Sequence, residues 1–404
     1  MAVSARVETT VAVMYRAWLA HARLLGALLM GGYFVTVAAV AWAYPLANWD
    51  IVAYVAAALN DGVRSAVEIH GLAWRAVEER VSAGDFLVLT ADRPYRIRQY
   101  ADPQAFATML GFYETKIAYV AAIGWLSHWM QAVDAVRLIS AASALAFGAT
   151  VLLWARSRGL LGHAPLILAF LAAAGFSEMA RSGIPDLFAA LFILLAVWSY
   201  LRGQDALTAA ALLAAVAVRP DHVAFVGVFA CAALLKRQGA VAALGALVAA
   251  AVAYLVIMRT SEHPGWWVQM WFTHIEYVPT LEGFSPEFSL VSYGLIVVRA
   301  VVRALVEENW LLLLLLLAAG YGRLLARDAF MAGREQVVLL AGFGTILAKF
   351  AVFPLFESRF HLAYLTVIGM TLLAVAVRNA ATVHQAAGPE HPAMARKRQN
   401  KLAV

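Results

Sequence analysis

Three observations predict an all-α polytopic membrane protein of about 10–12 transmembrane helices, with further juxtamembrane helices on its outer face. Hydrophobic residues make up 63% of the 404-residue chain and charged residues only 14%, with a mean hydropathy of +0.75, far outside soluble composition. The first apolar run, Leu24 to Trp49, has 26 residues without an Asp, Glu, Lys or Arg, more than the roughly 20 that a spanning helix needs. Charge is also segregated, because Trp49 to Lys116 holds sixteen of the 56 Asp, Glu, Lys and Arg residues between two apolar regions. Each such charge costs about 2.5–3.5 kcal/mol at the centre of a spanning helix, so this stretch is a water-side loop pinned to the membrane surface at both ends.

The elements follow in order. Residues 1–23 carry Arg6, Arg16 and Arg23 against Glu8, which predicts a cytoplasmic N-terminus. The run from Leu24 exceeds a signal-peptide core and is expected to be a retained span. In outer loop 1, residues 45–116, the stretches Asp50 to Leu59 and Ser65 to Val81 have helical spacing and read as helices along the membrane surface. Asp92-Arg93-Pro94 and Asp102-Pro103 are turn signals between them. Next come apolar stretches at 117–130 and 135–155, the second ending at Arg156 and Arg158. If 117–130 does not cross, the basic turns at Arg156/Arg158, Arg202 and Lys236/Arg237 all fall on the cytoplasmic side, and its 14 residues are short for a span. Further spans are expected at 162–180, 187–201, 206–218, 223–235 and 240–258. A second outer loop, 259–288, holds Trp266, Trp267, Trp271 and Tyr277, which read as an interfacial aromatic belt. The stretch 289–306, with Arg299 and Arg303 four apart, reads as another surface helix. That count puts Arg323, Arg327 and Arg334 inside and Glu357 and Arg359 outside. One transmembrane domain, 24–378, thus precedes a disordered, cytoplasmic basic tail at 379–404.

Composition also excludes functions. The single cysteine, Cys231, lies in an apolar run, so there is no intrachain disulfide and no thiolate metal site. The +6 net charge is spread over loops and tail, which suits the positive-inside pattern and gives no nucleic-acid-binding patch.

On this topology the ionisable residues Asp50, Glu114, Lys116, Arg181, Asp186, Arg219, Asp221, His222, His274, Glu357 and Arg359 all fall at outer ends of spans. Membrane-edge charges converging from several segments on one side mark an active or binding site. Asp50 beside an apolar wall suits a general base, and it can equally cap its helix. Pro185 and Asp186 start a helix after the Arg181 break. Lys116, Arg219 and Arg359 are natural anchors for a phosphate or pyrophosphate, as a point charge and two forks. Glu114 and His274 are the side chains that could take a divalent metal.

These motifs, in this order, resemble the GT-C superfamily of polyprenyl-phosphate-dependent glycosyltransferases, which includes the lipid A aminoarabinose transferase and the protein O-mannosyltransferases. The resemblance covers about residues 24–375. It rests on Asp50-Ile-Val-Ala-Tyr54, on Phe112-Tyr-Glu-Thr-Lys-Ile117, and on Ala135-Val-Arg137-Leu-Ile-Ser140. Arg181-Ser-Gly-Ile-Pro-Asp186, Val218-Arg219-Pro-Asp221, Trp271-Phe-Thr-His274-Ile-Glu276 and Phe356-Glu-Ser-Arg359-Phe360 complete it. Glu114 and Lys116 match the family's acidic–basic element, with Thr115 inserted between them and Ile117 where the family has proline.

The resemblance implies an inverting transferase on the non-cytoplasmic face of a bacterial inner membrane. Its donor is a polyprenyl-phosphate-linked sugar and its acceptor a glycan, lipid or protein. Asp50 would be the catalytic base, and Lys116, Arg219 and Arg359 would hold the donor phosphate. Glu114, Arg181, Asp186, Asp221 and His274 would bind substrate. Two alternatives remain. A glycan ligase using a lipid-pyrophosphate donor would show two arginine clusters in one long outer loop. A lipid or solute transporter would show mid-membrane charges and an internal repeat.

Overall fold

The computed structural model describes residues 2–386, with side-chain surroundings for Val13 and residues 20–382; the basic tail from 387 onward lies outside the described residues. Every regular element within them is helical. Five helices are long and apolar enough to cross a membrane: Ala20–Ala43, Ala132–Ser157, Ala240–Thr260, Gly333–Val352 and Leu362–Thr382. At 1.5 Å per residue, the shortest of these reaches about 30 Å, the thickness of a hydrocarbon core. Asp186–Leu201 and Asp205–Val218 are shorter, about 24 and 21 Å.

Ion pairs and hydrogen bonds between distant turns define one end of this bundle. Arg158 lies 3.6 Å from Glu335, the Tyr200 hydroxyl donates to the Gln238 carbonyl at 2.6 Å, and Arg334 donates to Asp205 at 2.6 Å. The basic turns near 158, 202, 237 and 334 therefore share one end, as the charge count groups them. The other end carries the turns at 182–185, 219–222 and 353–361 and everything between 44 and 131.

Apolar side chains gain little by leaving lipid for one another, so close packing must supply the contact energy. Gly148 on Ala132–Ser157 shows how: the Phe34 ring of the first helix occupies the space where a Cβ would stand. Ala243, Ala246 and Ala250 make a similar small-residue seam on Ala240–Thr260.

Residues 44–131 form a cap of seven short helices with its own core, including Trp49, Tyr54, Trp74, Phe106, Phe112 and Tyr119. Local chemistry starts each helix where the residues specify it. Ser65 and Glu68 close a capping box, the Ser82 side chain caps Ala83–Ala91, and Pro94 occupies a first turn. Asp102 caps Pro103–Ala107, so both expected turn signals begin helices. The second outer loop seals the cap from above. Tyr277 stacks on Tyr95 at 5.1 Å, Leu281 donates its N–H to Thr108, and Gly111 leaves room for the backbone at Glu262.

One expected surface helix is covered. Asp50–Leu59 is enclosed by protein rather than laid open on a surface; Ile51 through Ala57 are all buried, against Ala66–Glu78, Ile117–Leu126 and Ala132–Ser157. Between Asp50 and Asn60 only the Tyr54 hydroxyl is polar, and a helix that is apolar all round must be enclosed. By contrast, Ala66–Glu78 buries only the stripe Ile69, Ala73, Trp74 and Val77. Ile117–Leu126, at about 15 Å, is too short to cross alone. Leu290–Val306 buries only Ile296, Ala300 and Ala304, four residues apart, as a helix laid on the bundle's flank would.

Candidate functional site

Where the cap meets the bundle, eight charged side chains from six segments converge: Asp50, Asp186, Asp221 and Glu357 with Lys116, Arg219, Lys349 and Arg359. All but Lys349, which projects from within the helix Gly333–Val352, lie at or beside a local break in the chain. Pro220 forces Arg219 into extended backbone (φ −143°, ψ 104°), which ends Asp205–Val218 and turns the guanidinium inward. Pro185 starts the helix that Asp186 opens. Gly183, at φ +63°, lets the preceding turn press on the Asp50 helix, because a Cβ there would stand 2.8 Å from the Ile51 side chain. The strap bearing Glu357 and Arg359 is tied down: Trp310 donates to the Phe356 carbonyl at 2.5 Å, and Ser358 donates to Glu308 at 2.6 Å.

The cluster has a buried floor and an open mouth. In the floor, Arg219 donates to Asp186 and, through Nε, to Asp221 at 2.9 Å; Lys349 donates to the other Asp221 oxygen at 2.5 Å. Asp221, bound by both floor cations, is itself 35% exposed; of the others, the Asp186 side chain is 4% exposed, that of Lys349 9% and that of Arg219 12%, against 29% for Asp50 and 27% for Arg359 at the mouth. There, Tyr113 donates to Asp50 Oδ1 at 2.9 Å, and Arg359 Nη1 stands 3.7 Å from Oδ2. Arg359 Nε pairs with Glu357. The guanidiniums of Arg219 and Arg359 both lie on the Phe360 ring, at 5.0 and 4.7 Å.

Lys116 differs from the other three cations. Its amine donates to the Phe112 carbonyl and forms no ion pair among the described residues. Desolvation, and then the nearby Arg219 guanidinium, pushes it down to about 8. Burial holds Glu357 above the ordinary carboxylate range despite Arg359 beside it. Burial, reinforced by Asp50, raises Tyr113 well above its usual value, so its hydroxyl stays a donor.

Of the residues singled out from sequence, Asp50, Lys116, Asp186, Arg219, Asp221, Glu357 and Arg359 meet here. Three others do not. Glu114 accepts from Asn60 at 3.2 Å, past the far end of the Asp50 helix and thus about 15 Å along it. Arg181 Nε donates to the Tyr44 carbonyl at 2.8 Å and lines a separate cavity. His274 packs its ring on Phe353 at 5.5 Å, its Nε2 buried without a partner, and burial and then Arg303 push it down to about 4. Glu114 and His274 are thus held by different neighbours, and no group of three metal-ligating side chains occurs among the described residues. His222 sits just behind the floor, sharing a 2.7 Å hydrogen bond with the Tyr364 hydroxyl.

Sequence reasoning missed Lys349 and gave no role to Tyr54 and Tyr113, although both stand in the quoted motifs. A lone lysine near the end of an apolar helix reads as a snorkelling charge, and Lys349 looked no different. The signal was its place inside a spanning segment, where a charge faces protein or a cavity by default. Tyr54, wedged between Tyr113 and Tyr119 at 5.0 Å from each, carries no sequence signal beyond its spacing.

Such a site can orient one partly exposed carboxylate while offering an anion an unpaired ammonium and a guanidinium with spare donors. No family model, curated protein or solved structure matches this chain.

Proposed function

We propose that the protein is an integral-membrane glycosyltransferase that moves a sugar from a polyprenyl-phosphate donor to an acceptor hydroxyl, with inversion, on the non-cytoplasmic face. The observation that carries this reading is the pairing of Asp50, oriented by Tyr113 and still partly exposed, with the uncommitted cation Lys116 and the mouth residue Arg359. The gathering of the basic turns at the opposite end supports the orientation, and a bacterial inner membrane follows from the resemblance.

In this mechanism the donor reaches the cleft sideways from the bilayer. Asp50 takes the proton from the acceptor hydroxyl as its oxygen bonds to the anomeric carbon. The anomeric carbon–oxygen bond breaks on the opposite side, and its electron pair leaves on polyprenyl phosphate. Lys116 and Arg359 stabilise the charge that develops there, so they act more strongly in the transition state than on the intact donor. Arg219, already shared by Asp186 and Asp221, supports the clamp by holding the floor rather than by gripping the phosphate directly. No step needs a metal ion at Glu114 or His274. A transporter is less well supported, because the ion pairs described here gather at the two ends of the bundle.

The test is release of polyprenyl phosphate from a polyprenyl-phosphate sugar by purified protein in nanodiscs, with the anomeric configuration of the product read by NMR. An inverted product, lost in Asp50→Asn, is expected. A retained configuration, or undiminished turnover by Asp50→Asn, would overturn the reading.

A further inference from the structure

Behind the first turn of the Asp50 helix lies a second polar cavity, of about 250 Å³, which the transfer chemistry above does not use. Three arginines line it, each from a different element: Arg80 after Ala66–Glu78, Arg137 on Ala132–Ser157, and Arg181 at the break before Gly183. Ile51 and Gly183 form the wall it shares with the charged cluster, while Asp50 itself does not line it.

The arginines are only partly satisfied. Asp134 serves two of them, 3.0 Å from Arg80 Nη2 and 3.5 Å from Arg137 Nη1. Arg137 also donates to the Arg80 carbonyl at 2.5 Å, but its Nε is buried with no partner. Arg181 donates through Nε to the Tyr44 carbonyl and forms no ion pair among the described residues. The acid within the cavity, Asp85, is engaged by the Ser82 hydroxyl at 2.7 Å. Three guanidiniums therefore face two carboxylates, and fork-shaped donors remain for an oxyanion. Its apolar lining continues from Leu46 into the end of the first spanning helix at Ala43 and Ala41. Trp42 and Tyr44 stand exposed there, as residues at the lipid–water boundary do.

We infer that this cavity binds the oxyanion headgroup, a phosphate ester or carboxylate, of a membrane amphiphile whose chain lies along the first helix. In the one respect that this ligand would be the sugar acceptor, presenting its hydroxyl around Ile51 to Asp50, the inference rests on the transferase reading. Binding itself requires no catalysis.

The probe is phosphatidic acid in phosphatidylcholine nanodiscs, with retained lipid counted by native mass spectrometry and inorganic phosphate as the water-soluble comparison. Wild type should retain phosphatidic acid over phosphatidylcholine, and Arg137→Ala/Arg181→Ala should lose roughly tenfold or more of that preference. Arg137→Lys/Arg181→Lys, which keeps charge but not the fork, should fall between and guards against a fold lost in the Ala pair. The same loss should appear when Arg137→Ala/Arg181→Ala is built on Arg359→Ala, which removes any lipid phosphate held at the donor clamp. Loss in Arg359→Ala with none in the Arg137/Arg181 variants would move the anion to the Asp50 cluster and overturn the site. Competition by inorganic phosphate with no lipid preference would overturn the membrane source. Retained binding by a protein without transferase turnover would leave the site standing and remove only the acceptor role.

Discussion

The two ends of the bundle each carry a cluster of buried charge, and the two are built to different rules. Helices Asp186–Leu201, Gly333–Val352 and Leu362–Ala386 run between them, so about one helix length, roughly 20–24 Å, separates the two. At the Glu335 end both carboxylates are saturated, and Arg378 Nε is buried without a partner. Arg378 grips both Glu335 oxygens at 2.7 Å, the Ala332 N–H donates to the same carboxylate at 2.9 Å, and Arg158 stands 3.6 Å away. Beside it Arg334 holds Asp205 while lying on the Tyr200 ring at 4.5 Å. At the Asp50 end the floor is saturated but the mouth is not, because Lys116 has only a carbonyl and Asp50 only a tyrosine at hydrogen-bonding distance. A saturated cluster ties helices together; an unsaturated one, open at one side, keeps capacity for a ligand.

The comparison breaks most sharply at the two carboxylates. Asp50→Asn keeps size and polarity but cannot accept a proton, so turnover should drop about 10²–10⁴-fold with the fold intact. Glu335→Ala should do the reverse. It leaves Arg378 and Arg158, each about a third exposed, without their buried acceptor and should lower stability by about 1–3 kcal/mol, with turnover per folded molecule unchanged. Thermal unfolding in detergent beside a specific-activity assay separates the two. If Glu335→Ala cut specific activity and left stability alone, the division of labour between the ends would be wrong.

Smaller effects sharpen it. Lys116→Ala should weaken the donor by roughly 1.5–3 kcal/mol, read as a tenfold to hundredfold rise in its Kd. Because Lys116 sits at about 8 in the folded protein, against 10.5 ordinarily, its grip should fade as pH rises through 8. Stability should not fade with it. Between 8 and 10.5 the unfolded chain holds this proton and the folded one does not, so this lysine's contribution to stability increases with pH. Donor titrations from pH 6.5 to 9.5 check this, and a pH-independent Kd would remove Lys116 from the clamp. Arg359→Lys is the mildest change. It keeps the charge but loses the fork, so its donor affinity should lie between wild type and Arg359→Ala.

Residue order alone determined much of this molecule, because its strongest rules are local. The cost of charge in lipid separated the 45–116 loop from the apolar runs. Ser65 with Glu68, Pro94 and Asp102 with Pro103 set helix starts wherever they occur. The basic turns at 158, 202, 237 and 334 could be assigned to one end before any contact was known. The Arg219-Pro220-Asp221 break was legible for the same reason, since proline's effect on its neighbour does not wait for tertiary structure. Only packing decided what meets what. Lys349 and Asp221 are 128 positions apart, and no property of either residue announces the other. Glu114 follows Tyr113 directly, yet Tyr113 reaches Asp50 while Glu114 turns away to Asn60, because successive positions on a helix point about 100° apart. The Asp50 helix looked like a surface element until the cap closed around it. Burial is a property of neighbours, and those neighbours arrive from distant parts of the chain.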